Sequence, residues 1–120
     1  MHVNDRDRFA IRSVVEQQLQ AFQNDDAIAA FSFASPAIQA QFQTPDQFMD
    51  MVKTAYSAVY RPRSVVFEAI ANVEGYPAQT VLLMDAGGDM VRALYLMQKQ
   101  DDETWCIHGC LLMPLKSQPA

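Results

Sequence analysis

Apolar residues recur at helical spacing through the first half of the chain and alternate through the second. Ile11, Val14, Val15, Leu19 and Phe22 share one face of a helix over roughly residues 5–23, and Asn4 or Asp5 stands where an N-cap is needed. "NDD" (24–26) interrupts that period and opens a second, short helix through "AIAAFSFA". "SP" (35–36) supplies a capping Ser and a Pro in the first helical position. "TPDQ" (44–47) repeats the device with Thr44 and Pro45, and Gln47 is placed to reach back in a capping box. The helix it opens carries Phe48, Val52, Ala55 and Val59 on one face. It is expected to end near Tyr60, because the residue before Pro62 disfavours helix.

The pattern then changes. "SVVFEAIANV", "AQTVLLMDA", "DMVRALYLMQ" and "TWCIHGCLLM" read as strands, separated by "EGYP", "GG" and "KQDDE". Four strands joined by short turns, after a run of helices, predict an α+β fold with the N-terminal helices packed on one face of a four-stranded antiparallel sheet.

Turn positions turn this pattern into registers. A two-residue turn at Gly87-Gly88 pairs Met84 with Val91 and Leu82 with Ala93. A turn centred on Asp101-Asp102 pairs Tyr95 with His108 and Ala93 with Cys110, and one centred on Gly75-Tyr76 pairs Ala69 with Leu82. Side chains alternate faces, so the pairings sort the sheet. One face then collects Thr80, Leu82, Met84, Val91, Ala93, Tyr95, Cys106, His108 and Cys110, with no formal charge, and is expected under the helices. The other collects Glu68, Val81, Leu83, Asp85, Arg92, Leu94, Leu96, Trp105, Ile107 and Leu111. That second face is too apolar for water alone and predicts a homodimer through the sheet. Leu83, Arg92, Leu94, Leu96, Trp105, Ile107 and Leu111 are its expected interface residues, with Glu68, Asp85 and Arg92 as a charged network.

"CIHGC" places Cys106, His108 and Cys110 at every second position. Residues four apart on a strand are about 13 Å apart. A disulfide needs Cα atoms within about 7 Å, and a Zn–S bond is about 2.3 Å, so the two cysteines neither bridge nor share one zinc. The chain's other His lies near the N-terminus. No metal and no cofactor are therefore expected, and both cysteines read as small buried hydrophobes. His108 has two readings. It is a core histidine satisfied by Tyr95 or a backbone carbonyl, or it lines a pocket as a ligand donor or general acid–base. Tyr56 and Tyr60, four apart on a helix, are core or rim residues or point into the same cavity. Asp25-Asp26 reads as a solvated helix start, and "AGGD" precedes a strand and so is no phosphate loop. The expected ligand-lining set is His108, Tyr95, Tyr56, Thr80 and Met84, with His108 the one candidate catalytic group.

Composition narrows the partners. The net charge is −5 with no Lys/Arg run, which argues against nucleic acid and anionic membrane surfaces. The 120 residues fit one domain, half of the residues are hydrophobic, and no window approaches a membrane span of roughly 20 apolar residues. The polar start "MHVNDRDRFA" has no signal-type segment, and two unpaired thiols suit a reducing compartment, so a cytoplasmic location is expected, with an exported form trimmed of its leader as the alternative.

The front stretch "IRSVVEQQLQAFQNDDAIAAF" and the closing "TWCIHGCLLM", ending in a W-x-I-x-G pattern, give the chain its resemblance. It resembles the nuclear transport factor 2-like superfamily, of cystatin-like α+β cone shape. More narrowly it resembles a bacterial domain-of-unknown-function family of that fold. The resemblance covers nearly the whole chain and rests on motifs of low specificity. It implies a single domain over residues 1–120, a curved sheet, a cavity between sheet and helices, and often a dimer through the sheet. Enzymes of the superfamily use carboxylates, His or Tyr in the cavity. The face assigned to the cavity here holds no Asp or Glu, a departure that counts against isomerase-type and hydrolase-type chemistry. Three functions remain open: a dimeric domain binding a small, largely apolar molecule; a small-molecule enzyme of isomerase, dehydratase or cyclase type using His108; and a purely structural dimerisation module.

Overall fold

The computed structural model describes residues 3–115. Among them are five helices, α1 (Asp5–Gln23), α2 (Ala27–Ser32), α3 (Pro36–Phe42), α4 (Pro45–Ala55) and α5 (Ser57–Tyr60). Four strands follow, β1 (Ser64–Val73), β2 (Tyr76–Met84), β3 (Met90–Lys99) and β4 (Trp105–Leu115), in the antiparallel order β1-β2-β3-β4. The fold is α+β. No described helix is long and apolar enough to cross a membrane.

Local chemistry sets the helix starts. The Asn4 side chain accepts from the Asp7 amide at 2.8 Å, and the Asp7 carboxylate accepts from the Asn4 amide at 3.3 Å, a complete capping box. Asp26, Ser35 and Thr44 cap α2, α3 and α4 through amides three residues on. The expected single helix from Thr44 to Tyr60 is broken at Tyr56, whose φ of −130° and ψ of 42° separate α4 from α5. The stop after Tyr60 is as predicted: Arg61, before Pro62, leaves the helical region at φ −147° and ψ 72°. Ile11, Val15, Leu19 and Phe22 of α1 are buried, with Val14 at their edge.

Loop length sets the sheet's two faces, and it differs from the sequence reading. The β2–β3 loop holds three residues rather than two. Asp85 and Asp89 still pair, with Asp85 N–H donating to Asp89 O at 2.8 Å. The Asp85 carboxylate accepts from the amides of Gly87 at 3.0 Å and Asp89 at 2.9 Å, and Gly88 takes the left-handed position at φ +89°. The pairing becomes Met84 with Met90 and Leu83 with Val91. That slip of one residue turns over every side chain of β2. Gln79, Val81 and Leu83 face the helices and are buried, while Thr80, Leu82 and Met84 face outward and are partly exposed.

β4 is corrected in the same way. Its loop, Asp101 to Glu103, also holds three residues, with Glu103 at φ +70° and Gln100 N–H donating to Thr104 O at 2.8 Å. Trp105 and Ile107 therefore turn inward, opposite Lys99 and Met97. The register shifts between Leu96 and Met97: Leu96 pairs with Gly109 and Met97 with Ile107, leaving His108 as the extra residue of a β-bulge. Beyond it, Cys110 and Leu112 pair with Tyr95 and Ala93 and face inward. Cys106, His108 and Cys110 thus do not share one strand face, because the bulge interrupts the alternation between them. The β1–β2 turn is centred on Glu74-Gly75, both at positive φ, one residue earlier than expected.

Candidate functional site

A cavity of about 390 Å³ opens between the helices and the inner sheet face. Phe22, Phe42 and Phe48 supply an aromatic wall, with Phe42 edge-on to Phe48 at 5.8 Å between ring centroids. Ile38, Met51, Val52 and Val59 add aliphatic surface from three helices. The polar groups are few: Tyr56 at the α4–α5 break, Tyr95 of β3, Cys110 of β4, and Gln18 and Gln41. Gln18 is already engaged, its Nε2 donating to Ala30 O at 3.1 Å. None of the described residues lining the cavity carries a formal charge.

Tyr95 is the unusual member. It is 1% exposed, and its hydroxyl has no hydrogen-bond partner among the described residues. Burial first, and the neighbouring Cys110 second, raise its pKa well above the ordinary 10 of a tyrosine. The same two causes, in the same order, raise that of Tyr56. Cys110 as a whole residue is half-buried, but its thiol is enclosed by protein, and burial pushes it up to about 12. All three groups keep their protons at neutral pH, so Cys110 is a thiol without nucleophilic thiolate character.

Of the five expected ligand-lining residues, Tyr95 and Tyr56 line this cavity. Thr80 and Met84 do not, because the three-residue β2–β3 loop turns them to the outer face; the Thr80 hydroxyl donates to Ala69 O instead. His108 is not among the lining residues either. The bulge places its Nδ1 2.9 Å from the Ser35 hydroxyl and its ring 5.2 Å from that of Tyr76. Ser35 is fully buried and also accepts from the Ile38 amide, and its hydroxyl pairs with Nδ1 as donor or acceptor according to the imidazole tautomer. Residues 33–35 run beside β4, Ile107 N–H donating to Phe33 O and Ser35 N–H to Ile107 O, each at 2.8 Å. The expected pairing of Tyr95 with His108 is thereby replaced by Tyr95 with Cys110. Sequence reasoning missed Cys110 as cavity wall and Ser35 as the histidine's partner. The only signal for Ser35 was its role as a helix cap.

The outer face changes membership too. Leu83, Trp105 and Ile107, expected at a dimer interface, are buried beneath the helices, and the Trp105 indole donates to Asp7 at 3.3 Å. Arg92, Leu94, Leu96 and Leu111 do lie on the outer face. Met113 lies there too, as the alternation along β4 predicts, and Val66, Leu82 and Met84 join them, with Val66 54% and Leu111 48% exposed. Glu68 and Arg92 form a two-pronged ion pair on that face at 2.8 and 3.2 Å. Asp85 is not its third member, because its carboxylate closes the β2–β3 loop. Asp25 and Asp26 stand exposed at the start of α2, as read, and the Asp25 carboxylate also accepts from Tyr60 and from Arg61 at 2.6 Å. No metal-binding cluster of His, Cys, Asp or Glu occurs among the described residues.

No curated protein and no solved structure matches the chain. A family model does, over residues 4–120, and so nearly the whole chain that carries this cavity belongs to the domain of unknown function family DUF4864.

Proposed function

We propose that the protein binds a small, largely apolar molecule in the cavity between helices and sheet. The observation that supports this is the pairing of an uncharged, aromatic-walled cavity of about 390 Å³ with a buried hydroxyl that has no partner among the described residues. A filled core would leave no such cavity. The layout of helices over one face of a four-stranded antiparallel sheet also supports placing the family in the nuclear transport factor 2-like superfamily. His108, engaged with Ser35 and outside the cavity lining, is given no chemical role in this reading. The two unbridged cysteines are in keeping with a cytoplasmic location.

Binding of the neutral lipophilic dye Nile red tests the cavity. Ala55 lines it and is exposed, so Ala55→Trp fills space without disturbing the core. Dye binding should fall at least about tenfold in Ala55→Trp and persist in Leu94→Arg, which alters the outer face. Equal binding in the unmodified protein and in Ala55→Trp overturns the proposal.

A second reading rests on a separate observation, the apolar outer face. We propose that a second copy of the chain covers it. Leu94 pairs with Leu111 on this face. Two-fold symmetry would set the same band against itself around the Glu68–Arg92 pair. Light scattering at micromolar concentration should give twice the 13.5 kDa chain mass, and Leu94→Arg should halve it. A monomer mass for the unmodified protein refutes the dimer.

A further inference from the structure

We infer that the cavity takes an uncharged ligand bearing a carbonyl-type hydrogen-bond acceptor, and that the Tyr95 hydroxyl is the group that selects it. This deepens the cavity proposal and rests on it.

Three observations converge. The Tyr95 hydroxyl is enclosed and unpartnered among the described residues. A buried polar group in that state is costly unless something outside the chain satisfies it. A phenol is a donor first, because its oxygen lone pair is delocalised into the ring, so the missing partner is an acceptor. The second observation is charge. No described residue lining the cavity is ionised, so a carboxylate or phosphate would shed its hydration without gaining a counter-charge. Burial keeps Tyr56, Tyr95 and Cys110 neutral as well, so the polar groups of the lining, with the amides of Gln18 and Gln41, carry no fixed charge. The third is the wall opposite. Phe22, Phe42 and Phe48 form a continuous aromatic surface that suits a flat or ring-containing hydrocarbon body. Tyr95 faces Cys110 across the β3–β4 pair, so the acceptor is met at the sheet and the apolar body at the helices.

Three matched probes test the inference by equilibrium dialysis: 2-ethylnaphthalene, 2-acetylnaphthalene and 2-naphthoate. They share a ring system and differ in offering no acceptor, a neutral acceptor and an anion. The unmodified protein should bind the ketone roughly five- to tenfold more tightly than the hydrocarbon, the effect of one buried hydrogen bond. It should bind the carboxylate more weakly than the ketone by about tenfold or more. In Tyr95→Phe the ketone should fall to the affinity of the hydrocarbon, whose own affinity is unchanged. In Ala55→Trp both neutral probes should be lost. Loss in Ala55→Trp without any ketone preference in the unmodified protein overturns the inference and leaves the cavity proposal standing. A preference that survives Tyr95→Phe, or tighter binding of the carboxylate, does the same. Failure of both neutral probes to bind, or binding unaltered in Ala55→Trp, overturns the cavity proposal and this inference with it.

Discussion

Leu82 and Leu83 are chain neighbours with opposite surroundings. Leu83 is fully buried beneath the helices, while Leu82 stands partly exposed on the open side of the sheet. The contrast extends across the whole sheet. Val81, Ala93, Tyr95, Met97 and Ile107 pack against helices on the inner face. Leu94, Leu96, Leu111 and Met113 lie on an outer face of much the same chemistry with no described element across it. Residue type therefore does not separate the two faces. What separates them is the length of two loops and the placement of one bulge. Each loop is decided by a few polar contacts, such as those of the Asp85 carboxylate with the amides of Gly87 and Asp89.

The sharpest way to break this comparison is to truncate each leucine in turn. Leu83→Ala should cost about 2–5 kcal/mol, the range for a fully enclosed leucine. Leu82→Ala should cost about 1 kcal/mol or less. Urea denaturation of the two variants at concentrations low enough to hold the protein monomeric provides the measurement. Equal losses, or a larger loss at Leu82, would mean that the β2–β3 loop has two residues and that the faces are exchanged.

A smaller effect probes the bulge where β4 changes sides. Ser35 caps α3 and meets His108 Nδ1 at 2.9 Å. Ser35→Ala removes both contacts and should cost about 1–2 kcal/mol. His108→Ala should cost less, because Ser35 keeps its bond from the Ile38 amide. The double-mutant cycle should give a coupling of about 0.5–1.5 kcal/mol. A coupling of zero would show that the bulge is held by backbone pairing alone.

How much of this was legible without coordinates depends on how far a signal reaches. Asn4, Ser35 and Thr44 each cap through an amide three residues away, so the helix starts could be read directly. The α+β layout followed from the change of apolar period. The faces needed more. "AGGD" is compatible with a two- or a three-residue loop, and only the bonds made by Asp85 decide between them. The bulge at His108 has no local signature, since "CIHGC" alternates cleanly in sequence; Gly109, whose added Cβ would sit 3.4 Å from Leu96, is the nearest thing to a mark. Tyr56 and Tyr95 could be placed in the cavity. Thr80, Met84 and Leu83 were lost to the β2–β3 loop, Trp105 and Ile107 to the three-residue loop Asp101 to Glu103, and His108 to the bulge.

A pH-dependent contact ties the inner face to α1. Asp7 is buried and accepts from the Trp105 indole at 3.3 Å and Lys99 Nζ at 3.4 Å. Burial pushes its carboxyl up, but the Asn4 amide, the indole and Lys99 together hold it below the ordinary 3.8. A carboxyl depressed in the folded state lends stability above its unfolded value and loses it as pH falls through the folded one. Asp7→Asn should therefore be less stable than the unmodified protein at pH 7, with the gap narrowing as the pH is lowered below about 3.8. A gap that stays constant from pH 7 to pH 2.5 would mean that the carboxylate's charge contributes nothing to holding Trp105 inward.

The smallest effect is expected where the inner face is incomplete, and its sign matters more than its size. The other polar side chains of that face are hydrogen-bonded, Gln79 to Glu68 O and the Trp105 indole to Asp7, whereas Tyr95 carries a hydroxyl that nothing in the described chain satisfies. In the ligand-free protein an unsatisfied buried group costs about 1–3 kcal/mol, and deleting it removes that penalty at the expense of a small void. Tyr95→Phe should therefore raise stability by about 1 kcal/mol, an unusual outcome for a substitution at a residue only 1% exposed. Denaturation of protein stripped of bound small molecules by organic extraction and refolding reads this directly. A loss of 1 kcal/mol or more would mean that the hydroxyl already has a partner, such as an ordered water, and the inner face would then be as fully matched at Tyr95 as at Leu83. A gain would set Tyr95 apart as the one position on that face whose side chain is kept at a cost to folding, which is the pattern expected of a residue retained for binding.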